Sequence, residues 1–387
     1  MPILNRAAEL QDEVAGWRRR LHAMPELNFD VFETAGFVKE RLAEFGCDEI
    51  VSGLGRTGVV GIIRGKKGDG GTIGLRADMD ALPIVEATGR AYASTNHGVM
   101  HACGHDGHTA MLLGAAKYLA ETRNFTGSVA VIFQPAEEGG GGGNEMVKDG
   151  MMDRFGIERV FGMHNMPGLP VGQFALRPGA IMASTAEFTI KINGRGGHAA
   201  MPHRTVDPIV IGAQLIGALQ SIVARSADPI ESLVVSVTKF RAGDAFNIIP
   251  ETAELAGTVR ALKKDLAALA RERMAALCAG IAAAHGAEIA LDYDPNYPVT
   301  FNHPEETVFA GDVAASVAGE PNVHRAIPPV MGGEDFSYML EARPGAFIFI
   351  GNGEGANLHH PAYDFNDDVI PHGVSYWVRL AETALAA

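Results

Sequence analysis

His101-Ala-Cys-Gly-His-Asp-Gly-His108 puts four imidazole or thiol side chains, His101, Cys103, His105 and His108, into eight positions. Directly after it an apolar-periodic run over 109–120 predicts a helix. Two glycines leave the backbone free to turn. Cys103 and His105 are two apart, so in an extended turn both side chains point to the same side. A single His or Cys is usually a packed core residue, but several crowded together are hard to bury without a shared task. Borderline-to-soft ligands of this kind suit zinc or a neighbouring transition metal. A histidine-rich surface turn is the competing reading.

Outward from that turn, the chain alternates helices and short apolar strands. Helices are expected over 3–23 and 33–45, strands over 58–63 and 72–77, then the helix 109–120 and strands over 128–133 and 159–163. This order predicts an α/β sheet with helices on its faces. Asp78, the tandem Glu137-Glu138 and His164 each follow or end one of these strands, where open α/β sheets bind ligands. At a strand end the two glutamates alternate sides, so one can ligate a metal while the other faces a water. Solvation is the usual fate of such a pair. The buried strand before it and five glycines after it favour function.

Near residue 181 the pattern changes to strand 186–193, helix 207–224, strands 233–240 and 253–261, helix 263–284 and strand 287–294. That β-α-β-β-α-β order is the ferredoxin-like unit. From about 298 the first pattern resumes, so a discontinuous metal-dependent catalytic domain (1–180 and 298–387) is expected to carry an inserted α+β domain (181–297).

At 387 residues and 47% hydrophobic, the chain is long enough for two cores. A net charge of −14 argues against nucleic acid and anionic membrane as partners. Three widely spaced cysteines predict no disulfide framework and a reducing compartment. The start of the chain lacks a basic segment followed by an apolar one, and no apolar run is expected to reach membrane-span length. A cytoplasmic protein follows. Walker and Gly-x-Ser-x-Gly patterns are absent, and the glycines of 139–143 do not match the dinucleotide-binding fingerprint.

Taken together, Ala77-Asp-Met-Asp-Ala-Leu-Pro83, His101 to His108, Pro135-Ala-Glu-Glu138, Met163-His-Asn165, Gly196-Gly-His-Ala-Ala-Met-Pro-His203, Asn247-Ile-Ile-Pro250, Gly332-Gly-Glu-Asp-Phe336 and Leu358-His-His-Pro361 resemble the hippurate hydrolase and auxin-conjugate amidohydrolase branch of the metal-dependent aminoacylase/carboxypeptidase superfamily. Trp17-Arg-Arg-Arg-Leu-His22 and Pro25-Glu-Leu27 extend the match to the N-terminal part. The resemblance implies a zinc-peptidase-like, mixed-sheet catalytic domain with an inserted ferredoxin-like lid or dimerisation domain. It implies two divalent ions per subunit (manganese, zinc, cobalt or nickel), a small N-acyl amino acid as substrate, and a homodimer or homotetramer formed through the lid. Cys103, His105, Glu138, His164 and His359 would be metal ligands, and Glu137 the general base. His198 would reach the oxyanion, Asn247 and Arg260 the substrate carboxylate.

Two positions depart from the wider superfamily. Where many members present His-x-Asp, this chain has Arg76-Ala-Asp78, and Asp78 is left to orient a ligand or to cap a turn. In Leu358-His359-His360-Pro361 either histidine is available, and alignment chooses His359. His101, His108 and His203 are candidates for orienting ligand rings, with packing or surface roles equally open. His22 is expected to be structural or exposed, and Glu334-Asp335 either lines the site or opens a helix. The rival activities are a metallo-dipeptidase or carboxypeptidase, an N-acetyl-diaminopimelate deacetylase, and a catalytically silent metal-binding protein.

Overall fold

The computed structural model describes residues 3–387; Met1 and Pro2, where the reading of the chain start begins, lie outside it. The chain divides into two compact units. The first runs to Ile181 and adds Phe301–Pro328 and Asp335–Ala387.

Its centre is a mixed sheet of eight strands. In chain order the first five are β1 (Glu49–Leu54), β2 (Gly58–Arg64), β3 (Thr72–Asp78), β4 (Ser128–Gln134) and β5 (Ile157–Pro167). Across the sheet the order is β1-β2-β4-β3-β5, then Gly345–Gly353, Phe174–Ala175 and Val323–His324. β3 pairs in parallel with β4 and β5, and Gly345–Gly353 pairs in parallel with β5. These middle strands are buried almost along their whole length, as parallel strands covered on both faces must be. Their carboxyl ends therefore open on one edge.

The helix expected over 3–23 is two, α1 (Asn5–Glu9) and α2 (Gln11–Ala23), and α2 stops ahead of Pro25. α3 spans Phe32–Glu44. α4 runs His105–Thr122, four residues earlier than the apolar period predicts. Gly104 at φ +91° supplies the left-handed residue that turns the chain straight into the helix, so His105 and His108 lie in its first turns. The Cys103-to-His105 segment is thus not extended, and the same-side argument for it fails. α5 spans Gly142–Lys148.

The second unit holds Met182–Thr300 and Pro329–Glu334. Its elements run strand Ser184–Asn193, helix Pro208–Ser221, strands Leu233–Ala242 and Thr252–Ala261, helix Lys264–His285 and strand Glu288–Pro295. All four strands are antiparallel, with Thr252–Ala261 and Ser184–Asn193 in the middle. Residues 329–334, expected in the catalytic domain, belong here because Ala183 N–H donates to the carbonyls of Val330 (3.2 Å) and Gly332 (2.9 Å). The expectation that no apolar run reaches membrane-span length also needs correcting. Pro208–Ser226 is 19 residues long with hydropathy 1.4. Its apolar stripe, Ile211, Leu215, Leu219 and Ile222, packs into this unit's own core.

Candidate metal centre

The carboxyl edge of the first unit's parallel strands collects the predicted ligands. Cys103 and His105 come from the entrance to α4, Glu137 and Glu138 from the turn after β4, His164 from β5, and His359 from the segment after Gly345–Gly353. Cys103 Sγ lies 3.4 Å from His164 Nε2. His105 Nε2 is 3.9 Å from Glu138 Oε1, and His359 Nε2 is 3.3 Å from the same oxygen. Ligand atoms of Cys103, Glu138 and His359 fall within 4.8 Å of one another, as do those of His105, Glu137 and Glu138. His360 turns away; its Nδ1 accepts from Ala362 N–H at 3.0 Å.

Hydrogen bonds sort the histidines. His105 Nδ1–H donates to the Asp80 carbonyl (2.8 Å) and His164 Nδ1–H to the Asn165 carbonyl (2.7 Å). Each therefore turns Nε2 toward the centre, and once Nε2 gives up any proton this is the arrangement that fixes a metal-ligating tautomer. His108 is close to the same group, yet both its nitrogens are committed. Nε2 accepts from Asn165 N–H (3.0 Å), so Nδ1 carries the proton and donates to Asp78 Oδ1 (2.7 Å). Neither nitrogen of His108 is left unbonded.

Asp78 is fully buried and equally committed, with Oδ2 accepting from Arg76 (2.9 Å). It orients His108 and, through it, Asn165. Asn165 in turn donates from Nδ2 to the Cys103 carbonyl (2.7 Å) and accepts from the Tyr363 hydroxyl (2.7 Å). Arg76 also donates to Gln134 and Asp335, so the chain's departure from His-x-Asp is a buried ion-pair hub rather than a ligand. Asp335 is buried and accepts from Gly143 N–H at 2.8 Å, tying α5 to this hub.

The glutamates do not alternate along a strand. β4 ends at Gln134, Ala136 has φ +55°, and Glu137 and Glu138 sit in a turn. Asp80, which the sequence places at the end of the strand 72–77 without a role, shapes that turn: its two oxygens accept from the backbone N–H of Glu137 (2.9 Å) and Glu138 (3.0 Å). Asp80 thereby ties the glutamate turn, held by its carboxylate, to the His105 ring, held by its main-chain carbonyl.

The donor set fits divalent cations. His105 Nε2 is buried without a hydrogen-bond partner, a costly state for a polar atom that a cation removes, and the nearest contact of the buried Glu138 Oε1 is the ion pair with His359. The electrostatics agree. Burial, then the carboxylates of Glu138, Glu137 and Asp78, push the Cys103 thiol well above its usual range. Burial works against the charged form of His105, but Asp78 and then Asp80 outweigh it and carry the imidazole up to about 10. Excess negative charge facing a thiol and free imidazole nitrogens is what a metal pair neutralises.

His198, Asn247 and Arg260 all belong to the second unit. His198 is exposed, and its Nδ1 accepts from Ala200 N–H (3.0 Å), which leaves the proton on Nε2. Asn247 is exposed at the bend before Ile248–Ile249, and Arg260 is half-buried on the strand Thr252–Ala261.

A buried cluster of thiol, imidazole and carboxylate donors beside a further carboxylate defines a metal-dependent hydrolase. The model of peptidase family M20/M25/M40 matches residues 74–383, and the chain belongs to that family. It is 45% identical over 382 residues to the hippurate hydrolase of Campylobacter jejuni, covering 98% of this chain and 99% of that one. To the N-acetyl-L-cysteine deacetylase of Bacillus subtilis it is 41% identical over 362 residues, covering 93% and 85%. A solved Bacillus subtilis structure, described as a dinuclear metal binding peptidase from the M20 family, superposes with a TM-score of 0.85 at 36% identity, covering 98% and 99%.

Proposed function

We propose that the chain is a dinuclear-metal amidohydrolase that cleaves N-acyl amino acids to a carboxylic acid and a free amino acid. The observation that carries this reading is the buried His105 Nε2, which has no hydrogen-bond partner and faces Glu137 and Glu138, with Cys103 and His359 grouped around the same Glu138. The named activities of the relatives support the substrate class.

Cys103, His105, Glu138, His164 and His359 would hold two cations, of manganese, zinc, cobalt or nickel. When bound, the pair supplies Lewis acidity to the acyl carbonyl and to the attacking water. Glu137, buried but for 6% of its surface, takes the proton from that water and delivers it to the departing amine nitrogen. Asp80 holds it in place through the backbone N–H. His198, as the Nε2–H tautomer, is assigned the oxyanion, and Asn247 and Arg260 the substrate carboxylate. Pairing of subunits through the second unit belongs to the same reading, supported by exposed Val210, Phe240, Phe246 and Ile248. So does a cytoplasmic location, supported by three free cysteines.

Mass spectrometry of N-acetyl, N-benzoyl and indoleacetyl amino acids and of free dipeptides, incubated with metal-loaded protein, tests the reaction. Glu137→Ala is expected to lose about 10²- to 10⁴-fold in turnover with its metal content intact. Full activity in that variant, or exclusive cleavage of free dipeptides, contradicts the proposal. The same assay on His198→Ala, Asn247→Ala and Arg260→Met, each expected to lower kcat or raise KM at unchanged metal content, tests the second unit's part.

A further inference from the structure

The N-terminal motif Trp17-Arg-Arg-Arg-Leu-His22 contributes no ligand, yet it sends two polar side chains into the interior of the first unit. Arg18 and His22 are both wholly buried. The Arg18 guanidinium stacks on Tyr92 (5.0 Å) and Phe365 (5.7 Å) and makes three ion pairs. Nε faces Asp106 at 2.9 Å, one NH2 group faces Asp364 at 2.5 Å, and the other faces Asp367 at 3.6 Å. His22 adds a second hold on Asp106 from Nδ1 (2.8 Å) and reaches Glu86 with Nε2 (3.3 Å).

These carboxylates lie on two segments that both feed the metal cluster. Asp106 directly follows His105 in the first turn of α4. Asp364 and Asp367 follow His359 in the segment that leads to the closing helix Ile370–Ala384. His359 is the ligand most in need of support: it is half-exposed, stands at φ +64°, and comes from a different part of the chain from the other four. A non-glycine residue in the left-handed region persists only where its surroundings over-determine it. Its N–H donates to the Ala102 carbonyl at 2.8 Å, which docks this segment beside Cys103. Arg18 then pins the same segment five residues further on. Tyr92 and Arg90 reinforce the pin, each contacting Asp364 Oδ2 (2.8 and 2.9 Å).

We propose that Arg18 is a positioning residue for the metal pair, clasping the His359 segment through Asp364 to the His105 helix through Asp106. The spacing between His359 and the remaining ligands, and so the affinity for one of the two cations, depends on this clasp. The inference rests on the dinuclear reading above. A buried guanidinium bridging three carboxylates is costly to assemble and is not needed to fill space, since apolar residues of similar volume pack as stably. Its geometric specificity is what the two segments share.

Metal-free wild type, Arg18→Met, Asp364→Asn, His359→Ala and the double variant His359→Ala/Asp364→Asn are titrated with Co²⁺, reading cobalt absorbance and calorimetric stoichiometry. Unfolding of each metal-free protein is followed in parallel. Wild type is expected to take two ions. Arg18→Met and Asp364→Asn are expected to weaken one of them about 10- to 100-fold, the range for partners behind a ligand, and to match His359→Ala. The double variant is expected to show no further loss, because the clasp acts through His359. Asp364 lies at the edge of the cluster, so Asp364→Asn keeps the test open if Arg18→Met does not fold. Wild-type affinity for both ions in Asp364→Asn, equal weakening of both ions, or full additivity with His359→Ala overturns the clasp. A wild type that takes no pair of ions removes the dinuclear reading itself, and the clasp with it.

Discussion

Cys103 and His105 both keep their protons at neutral pH in the metal-free chain, the thiol because burial and three carboxylates raise it, the imidazole because Asp78 and Asp80 carry it up to about 10. His359 is raised as well, by its contact with Glu138. A cation has to expel these protons, so metal loading is linked to pH. Since all three values move up, affinity falls as pH falls, and loading at pH near 7 releases protons to the buffer. Calorimetric titration in two buffers of different ionisation heat checks this; equal heats in both would contradict it. The linkage also acts on the metal-free fold. The protonated His105 contributes stability that is fully present below its ordinary value of 6.5 and is lost as pH rises toward about 10. Raising the pH therefore weakens this contribution while strengthening metal binding.

The element that decides whether the ligands converge is the entrance to α4. Gly104 is left-handed, and a Cβ there would meet Asn165 Nδ2 at 2.4 Å and Tyr363 Oη at 2.5 Å. Asn165 holds the Cys103 carbonyl and the His108 ring, and the Tyr363 hydroxyl donates to Asn165. Gly104→Ala is expected to destabilise the metal-free protein by about 2 kcal/mol or more, from the left-handed backbone and the displaced Asn165–Tyr363 pair. It is also expected to weaken metal binding; denaturant unfolding and a metal titration give the two numbers, and wild-type values in both would refute this role for the turn. The sequence showed the crowding of ligands here but not the turn's shape. Hydrophobic period marks where apolar burial starts, and the first turn of α4 is polar yet buried, which put the expected helix start at 109 instead of His105. The glutamate pair misled for a related reason: its turn is shaped by Asp80, from a distant strand end, and no local pattern reveals that.

At the scale of the whole molecule, alternating helices and apolar strands made the α/β first unit and the β-α-β-β-α-β order of the second legible, because both follow from local periodicity. What stayed hidden depends on distant partners. β1 is an edge strand, half-exposed and weakly patterned. Val330 and Gly332 joined the second unit through backbone bonds to Ala183. The buried contacts of Arg18 and His22 come from Asp106, Asp364 and Glu86, far along the chain, and no local pattern around Trp17–His22 reveals them. The five proposed ligand positions stand out in the sequence as a motif set, whereas the different bonding of His105 and His164 on one side and His108 on the other needed the hydrogen bonds of Asn165. The account as a whole stands on two cations among those five side chains. Anomalous diffraction at the metal edge from crystals grown with Mn²⁺ locates them directly. Two peaks are expected, between them in bonding contact with Cys103, His105, Glu138, His164 and His359 and not with His108. A single peak, or peaks ligated by His108 or outside this cluster, would contradict it.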